Sequence, residues 1–270
     1  MTSADGFARL TRTRAVAQSF GRRARHYAEH AHLQRHTAET LAAFLREHGG
    51  LPVQDRMDQG QDRTDRGLVV EIGCGTGLLT ELLHAPDRPY LATDLSPEML
   101  EQCRARLGQR ENLSFAVLDG QQAAFTTPPA AIVSNLTCQW FADPVPGILR
   151  LARQTAFLAF SVPLSGSFPE WEAAFAGLGR TSGLLPLPEE RALLAALQHL
   201  APARLAHRVE ERHQHFPSAS AFADSFRLIG ADQPRPGYTP ATIRPVLRRF
   251  EGGLDATALI LYCLVQREGL

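Results

Sequence analysis

The sequence contains no lysine, so all 28 of its basic side chains are arginines, and 28 acidic residues balance them. A formal net charge of zero provides no global field that would attract nucleic acid or an anionic membrane surface. We therefore predict neither nucleic acid nor membrane as a partner. Arginine binds planar anions through a fixed fork of donors, but we attribute the complete preference for it to coding bias.

Cysteine is scarce, and no stretch approaches the apolar length of a membrane span. The first 35 residues are rich in arginine but lack the apolar core of a secretory signal. An organelle-targeting peptide stays open, although it would overlap a segment that we assign to the fold. The dispersed cysteines favour a reduced, cytoplasmic protein, because they show no Cys-x-x-Cys spacing: Cys74, Cys103, Cys138 and Cys263.

What the sequence does contain is an alternation of strand-like and helix-like segments. Such alternation indicates an α/β fold with a doubly wound, mostly parallel sheet, which binds ligands at the carboxyl ends of its strands. We predict one domain over residues 1–270, and its parts follow in chain order. They are an N-terminal helical segment (14–48), a core (68–162), a helical insertion (163–202) and the C-terminal part of the sheet (203–270).

Seven segments have strand character: 68–72, 90–93, 113–117, 131–134, 157–162, 204–216 and 257–266. Helices are predicted at 219–229 and over 238–252, where Pro245 should limit the helix to short pieces. The polar stretch 51–67 is predicted to be a loose linker.

Three glycines lie between the first strand and its helix, at alternate positions: Gly73, Gly75 and Gly77. In the dinucleotide fingerprint the third glycine would fall where Leu78 stands, so a pyrophosphate cradle is not the best match. Glycines let a ligand approach the backbone closely, and the following helix presents free N–H groups to an anion. A carboxylate suits that place as well as a phosphate.

The pattern E-x-G-x-G-x-G after a strand resembles the first motif of class I S-adenosylmethionine-dependent methyltransferases. The resemblance implies a Rossmann-like seven-stranded sheet, with an N-terminal helical lid and an insertion after the fifth strand. It also implies S-adenosyl-L-methionine as cofactor, S-adenosyl-L-homocysteine as its product, and contacts to the amino-acid half of the cofactor from Glu71, Gly73, Gly75 and Gly77.

Asp94 follows the second strand, where a carboxylate can accept hydrogen bonds from both ribose hydroxyls. Met99 lies on the next predicted helix, where an apolar side chain can stack on adenine. Both have plainer interpretations, since Asp94 can cap a turn and Met99 can belong to the core.

Two further strand ends carry groups in the order that the family uses. After the third strand, the resemblance implies that Asp119 accepts a hydrogen bond from the adenine amino group, with the ring meeting backbone at Gly120 and Gln121. Asp119 can equally cap a turn. After the fourth strand, it implies that the activated methyl group lies near Asn135 and Leu136.

Residues 17–45 and the phrase SNLTCQWFADP at 134–144 resemble the malonyl-acyl-carrier-protein O-methyltransferases of biotin synthesis. This family methylates the free carboxylate of a malonyl thioester on acyl carrier protein, giving the methyl ester that starts pimeloyl synthesis. The linker at 51–67 is longer than expected, and the usual Pro-Gly-Gly before the fifth strand is missing.

On the acceptor side, the resemblance implies that Tyr27 belongs to the lid and that Gln139 and Trp140 line the pocket, although packing roles for Tyr27 and Trp140 stay open. The acceptor carboxylate is already ionised at neutral pH, so the reaction needs no general base, and we predict no metal. Arg35 is a candidate to orient that carboxylate, but the sequence does not select the arginine.

Acyl carrier proteins are acidic, so a basic docking face is expected, and two arginine groups are candidates: Arg22, Arg23 and Arg25, or Arg244, Arg248 and Arg249. Two alternatives stay open at this point. One is a methyltransferase for another small acid or a quinone-like acceptor. The other is an assembly factor that keeps the methyltransferase fold.

Overall fold

The computed structural model describes residues 3–52, 67–228 and 240–268. Its strands form one seven-stranded sheet in the order β3-β2-β1-β4-β5-β7-β6. The first five strands run parallel, and β7 pairs antiparallel with both β5 and β6. The strands are β1 (Val69–Ile72), β2 (Tyr90–Asp94), β3 (Leu113–Val117), β4 (Ala131–Asn135), β5 (Phe157–Pro163), β6 (Arg204–Phe216) and β7 (Leu254–Gln266). The predicted mostly parallel, seven-stranded sheet is confirmed.

The central strands are buried on both faces, which explains their continuous apolar sequences. All four residues of β1 are buried, and so are the first six residues of β5. The strand order reverses between β1 and β4, which are neighbours in the sheet but not in sequence. The chain adds β2 and β3 on one side of β1 and then crosses to the other side to form β4. A ligand crevice is expected at the carboxyl ends of these two strands.

Helices cover both faces of the sheet: α1 (Ser3–His30), α2 (His32–Glu47), α3 (Leu78–Leu83), α4 (Pro97–Leu107), α5 (Pro144–Ala152), α6 (Pro169–Ala176), α7 (Glu190–Gln198), α8 (Ala219–Leu228) and α9 (Pro240–Arg249). The predicted N-terminal helical segment is two helices that meet at Ala31, and the first begins upstream of the predicted start. Among the described residues, none of these helices combines the length and apolarity that crossing a membrane requires.

The predicted insertion packs in two different places. Helix α6 belongs to a cluster with α8, α9 and the start of β7, centred on Trp171 and Phe222. Helix α7 instead joins the core on the α5 face of the sheet, through Leu193 and Leu197. The segment therefore contributes to the main core as well as to a separate layer.

The prediction that Pro245 limits its region to short pieces is wrong, because α9 continues through that residue. Val246 is buried, and Ile243 and Leu247 pack against the same cluster. These contacts stabilise the helix although proline cannot donate a backbone hydrogen bond. Most of the predicted linker, residues 53–66, lies outside the described residues.

We predict that Leu193→Ala lowers the free energy of unfolding by about 2–5 kcal/mol, since it leaves a cavity in the main core. Leu193 is fully buried, and denaturant unfolding measures the change. Arg191→Ala on the exposed side of α7 is the control and should change stability by less than about 0.5 kcal/mol. Equal effects of the two substitutions would show that α7 does not pack as described.

Candidate active site

A cleft opens at the carboxyl ends of β1, β2 and β4, where the topology places the crevice. Its volume is about 930 Å³, including the part open to solvent. The residues predicted to contact the cofactor all line it except Gly77. On the acceptor side Tyr27 and Trp140 also line it, whereas Gln139 and Arg35 are not among its lining residues.

The three glycines of the loop all have positive φ, at +70°, +54° and +88° in chain order, but their surroundings differ. A Cβ atom on Gly73 would lie 2.2 Å from the Thr137 side chain, and one on Gly77 would lie 2.7 Å from Cys103 Sγ. At Gly75 the nearest atom would be Tyr27 Cε1, 3.9 Å away. Packing therefore requires glycine at the two outer positions, whereas the central position leaves space on the cleft side.

Asp94 connects the glycine loop to the end of β2. The Gly75 N–H donates to its Oδ2 (2.8 Å), and the Ser96 N–H donates to its Oδ1 (2.9 Å). Burial raises the pKa of this carboxyl, and backbone N–H donors at Ser96, Gly75 and Leu95 act in the opposite direction. The two oxygens of a carboxylate can accept about four hydrogen bonds, so accepting capacity remains for a ligand.

Glu71 has a structural role that the sequence pattern did not reveal. Its Oε2 accepts hydrogen bonds from Thr80 Oγ1 (2.6 Å) and from the Tyr90 hydroxyl (2.7 Å). Burial raises the pKa of Glu71 to about 7, although both hydrogen bonds lower it. The carboxyl group therefore joins β1 to α3 and β2 beneath the loop, and its contact with a cofactor stays a prediction.

The turn after β3 is held by its own side chains. Asp119 Oδ1 accepts a hydrogen bond from the Gln121 N–H (3.0 Å), while Gln121 Oε1 accepts one from the Ala142 N–H. A Cβ atom on Gly120 would lie 2.2 Å from Ile72 Cγ2. Glycine is thus needed there because the turn packs tightly against the end of β1.

The end of β4 carries a strained residue, Leu136, with φ of +46°. Its N–H donates to the Ser161 carbonyl (3.1 Å), and Gln139 Nε2 donates to its carbonyl (2.6 Å). Asn135 Nδ2 donates to the Gln34 carbonyl (3.0 Å). Gln139 therefore braces this turn, and its buried Oε1 has no partner among the described residues.

Helix α1 covers the cleft, as expected of a lid. Phe20 stacks edge-to-face on Trp140 with ring centroids 5.2 Å apart, and it also meets Tyr27. Burial, and then the negative charge of Asp94, raise the pKa of the Tyr27 hydroxyl. The Tyr27 hydroxyl is therefore protonated near neutral pH.

Arg35 lies away from the cleft, exposed on α2. In the described part of the chain, no group of three or more histidine, cysteine, aspartate or glutamate residues is arranged to hold a metal ion.

Comparison with known proteins identifies the same region. A family model described as "Methyltransferase domain" matches residues 69–155. The chain is 34% identical to the malonyl-[acyl-carrier protein] O-methyltransferase of Magnetococcus marinus, covering 88% of this chain and 86% of that protein. It is also 34% identical to a biotin biosynthesis bifunctional protein of Bordetella avium, covering 88% of this chain and 49% of that protein.

Solved structures share the fold. A methyltransferase candidate from Bacillus halodurans superposes with a TM-score of 0.58 at 13% identity, covering 84% of this chain and 99% of that chain. At such low identity the likeness supports the Rossmann-like methyltransferase fold and nothing finer.

The buried carboxyl of Glu71 predicts a specific pH dependence of stability. The pKa of Glu71 is raised from 4.5 to about 7 in the folded protein. Its buried, neutral carboxyl therefore contributes fully to the free energy of unfolding below pH 4.5, and this contribution is lost as the pH rises through about 7. Glu71→Gln stays neutral and should remove this loss.

The measurement is the free energy of unfolding of both proteins by denaturant between about pH 4 and pH 8. As the pH rises across that range, the free energy of unfolding of Glu71→Gln should increase relative to that of the wild type by up to roughly 3 kcal/mol. A difference that does not change with pH would contradict the assignment.

Proposed function

This chain belongs to the malonyl-[acyl-carrier protein] O-methyltransferase family, and we propose that it methylates the free carboxylate of a malonyl thioester carried by acyl carrier protein. The methyl donor in this proposal is S-adenosyl-L-methionine. The methyl ester then enters pimeloyl and biotin synthesis, in line with the similarity to a biotin biosynthesis protein. The observation that carries the proposal is the cleft lined by the glycine loop and Asp94, which a hydrogen bond joins to each other.

The residues of the cleft fit this donor. The space beside Gly75 admits a ligand against the backbone, and the Asp94 carboxylate keeps accepting capacity for a ribose hydroxyl. Thr76 is buried on the cleft, and its Oγ1 has no partner among the described residues. That hydroxyl suits the carboxylate of an amino-acid group. Met99 supplies an apolar surface for the adenine.

When bound, S-adenosyl-L-methionine supplies a methyl group on a positively charged sulfur and leaves as S-adenosyl-L-homocysteine. A malonyl carboxylate is ionised at neutral pH because carboxyl pKa values lie near about 4. The chain therefore has no proton to remove, and Tyr27, which stays protonated, is placed to cover the site. The catalytic work of the chain is to align the donor and acceptor and to exclude water, and such positioning can lower a reaction barrier by about 7–11 kcal/mol.

The partner in this proposal is an acidic carrier protein, and exposed arginines on two helices offer docking surfaces. Arg22 and Arg25 are exposed on α1, and Arg244, Arg248 and Arg249 are exposed on α9. Opposite charge between such surfaces steers association. The four cysteines are buried and unpaired, which supports the cytoplasm as the location.

We expect Asp94→Ala to weaken binding of S-adenosyl-L-methionine at least about tenfold, because hydrogen bonds to a charged group are lost. The same substitution releases the Gly75 N–H from its partner, which acts in the same direction. Isothermal calorimetry measures the dissociation constant.

Asp255→Ala is the matched control, since Asp255 is exposed on β7 and pairs with His215. It should leave the affinity unchanged. Unaltered affinity in Asp94→Ala would contradict the role given to this carboxylate.

The decisive experiment supplies the purified chain with methyl-labelled S-adenosyl-L-methionine and malonyl-acyl carrier protein. We expect label on the carrier protein as a base-labile methyl ester. Acetyl-acyl carrier protein is the matched control, because it has no free carboxylate and should acquire no label. Label on free small acids or quinone-like compounds instead of the carrier protein would identify a different methyltransferase. Donor binding without transfer to any acceptor would favour an assembly factor.

A further inference from the structure

A second cavity lies beside the cleft, on the far side of the start of α2. Its volume is about 850 Å³, including the part open to solvent. Gln34 lines both spaces. The walls of the second cavity are largely apolar and aromatic, formed by Leu33, Phe168, Phe216, Phe222, Phe226 and Leu228.

Arg212 of β6 is the only arginine on the described lining of this cavity, and no carboxylate is found there. Its Nε is buried without a hydrogen-bond partner. Among the described residues, no hydrogen bond and no ion pair within 4.0 Å involves the side chain of Arg212. Two histidines, His30 and His32, also line the cavity.

The carboxylate of Glu210 lies close enough to Arg212 for the two charges to interact. Burial would raise the pKa of Glu210, but hydrogen bonds from Tyr262 and His36 lower it. The positive charge of Arg212 contributes to that lowering. Tyr262 and His36 each lie 2.7 Å from an oxygen of Glu210, so the hydrogen bonds to that carboxylate come from these two side chains.

The strand pairing places Arg212 at the edge of the sheet where the cleft lies. Pro163, which ends β5, pairs with Ile260, and Ile260 pairs with Glu210. Arg212 is two residues further along β6, so it lies past the carboxyl end of β5. The cleft lies at the same edge of the sheet. The contact between Asn135 and Gln34 stands at the boundary of the two spaces.

We propose that the second cavity receives the malonyl group and that Arg212 binds its free carboxylate, an inference that rests on the proposed function. A planar guanidinium matches a carboxylate, and a charge-assisted hydrogen bond is stronger than a neutral one. The Arg212 side chain is half-buried and its Nε has no hydrogen-bond partner among the described residues, so a carboxylate ligand suits the cavity. One carboxylate oxygen held by Arg212 leaves the other to accept the methyl group. The aromatic walls then contact the thioester-linked chain.

The test measures preference for a carboxylate rather than overall activity. Non-hydrolysable malonyl- and acetyl-pantetheine analogues are titrated by calorimetry in saturating S-adenosyl-L-homocysteine, so that no methyl transfer occurs. We expect the wild type to bind the malonyl analogue at least about tenfold more tightly than the acetyl analogue. In Arg212→Gln this ratio should fall to about one, and Arg212→Lys should restore part of it.

Arg208→Gln is the matched control, because Arg208 lies four residues earlier on β6 and pairs with Glu47 outside the cavity. It should keep the wild-type ratio. Affinity of Arg212→Gln for S-adenosyl-L-methionine should also stay unchanged, which separates a local effect from loss of the fold.

Three outcomes would overturn the inference: no preference of the wild type for the malonyl analogue, an unchanged ratio in Arg212→Gln, or equal weakening of both analogues. The proposed function has its own test in methyl transfer to malonyl-acyl carrier protein. If that transfer is absent while the preference still depends on Arg212, the proposed function fails and the carboxylate site stands. If transfer occurs without dependence on Arg212, the inference alone fails.

Discussion

The hydrogen bond from the Gly75 N–H to Asp94 Oδ2 is the constraint on which the candidate site depends. It fixes the loop after β1 to the end of β2, so that the backbone and the carboxylate face the same space. The Cys74 N–H reinforces the join by donating to the Thr93 carbonyl (2.8 Å). A loop bonded in advance has less conformational freedom to lose when a ligand binds. The scaffold therefore supplies preorganisation, which a methyl transfer without acid–base catalysis requires most.

Sequence patterns predicted the sheet well because their signals are local. Apolar runs and turn residues placed every strand within a few positions, and the glycine spacing placed the loop. The sequence could not show what each glycine does, since that depends on residues far along the chain. Gly73 meets Thr137, and Gly120 meets Ile72. Likewise, the packing of Val246 decided that α9 continues through Pro245.

On the acceptor side, residue type was a poorer guide than side-chain direction. Family resemblance selected Gln139, yet its amide braces Leu136 instead of lining the cleft. The sequence does not distinguish Arg212 from its neighbours, because β6 is polar along its length and half exposed, like an edge strand that faces solvent. Only the packing of α2 and α8 over one face of that strand reveals that one of its arginines borders a cavity. That information is absent from a single sequence without an alignment.

Unbonded polar atoms offer an independent guide to where ligands lie. Thr76 Oγ1, Gln139 Oε1 and Arg212 Nε are buried and have no partners among the described residues. Each such atom costs about 1–3 kcal/mol, and more when charged, so a stable fold keeps few of them without a use. Thr76 and Arg212 face the two adjoining spaces, and Gln139 braces the turn at the end of β4. In the proposed function, bound donor and acceptor would supply the missing partners of Thr76 Oγ1 and Arg212 Nε.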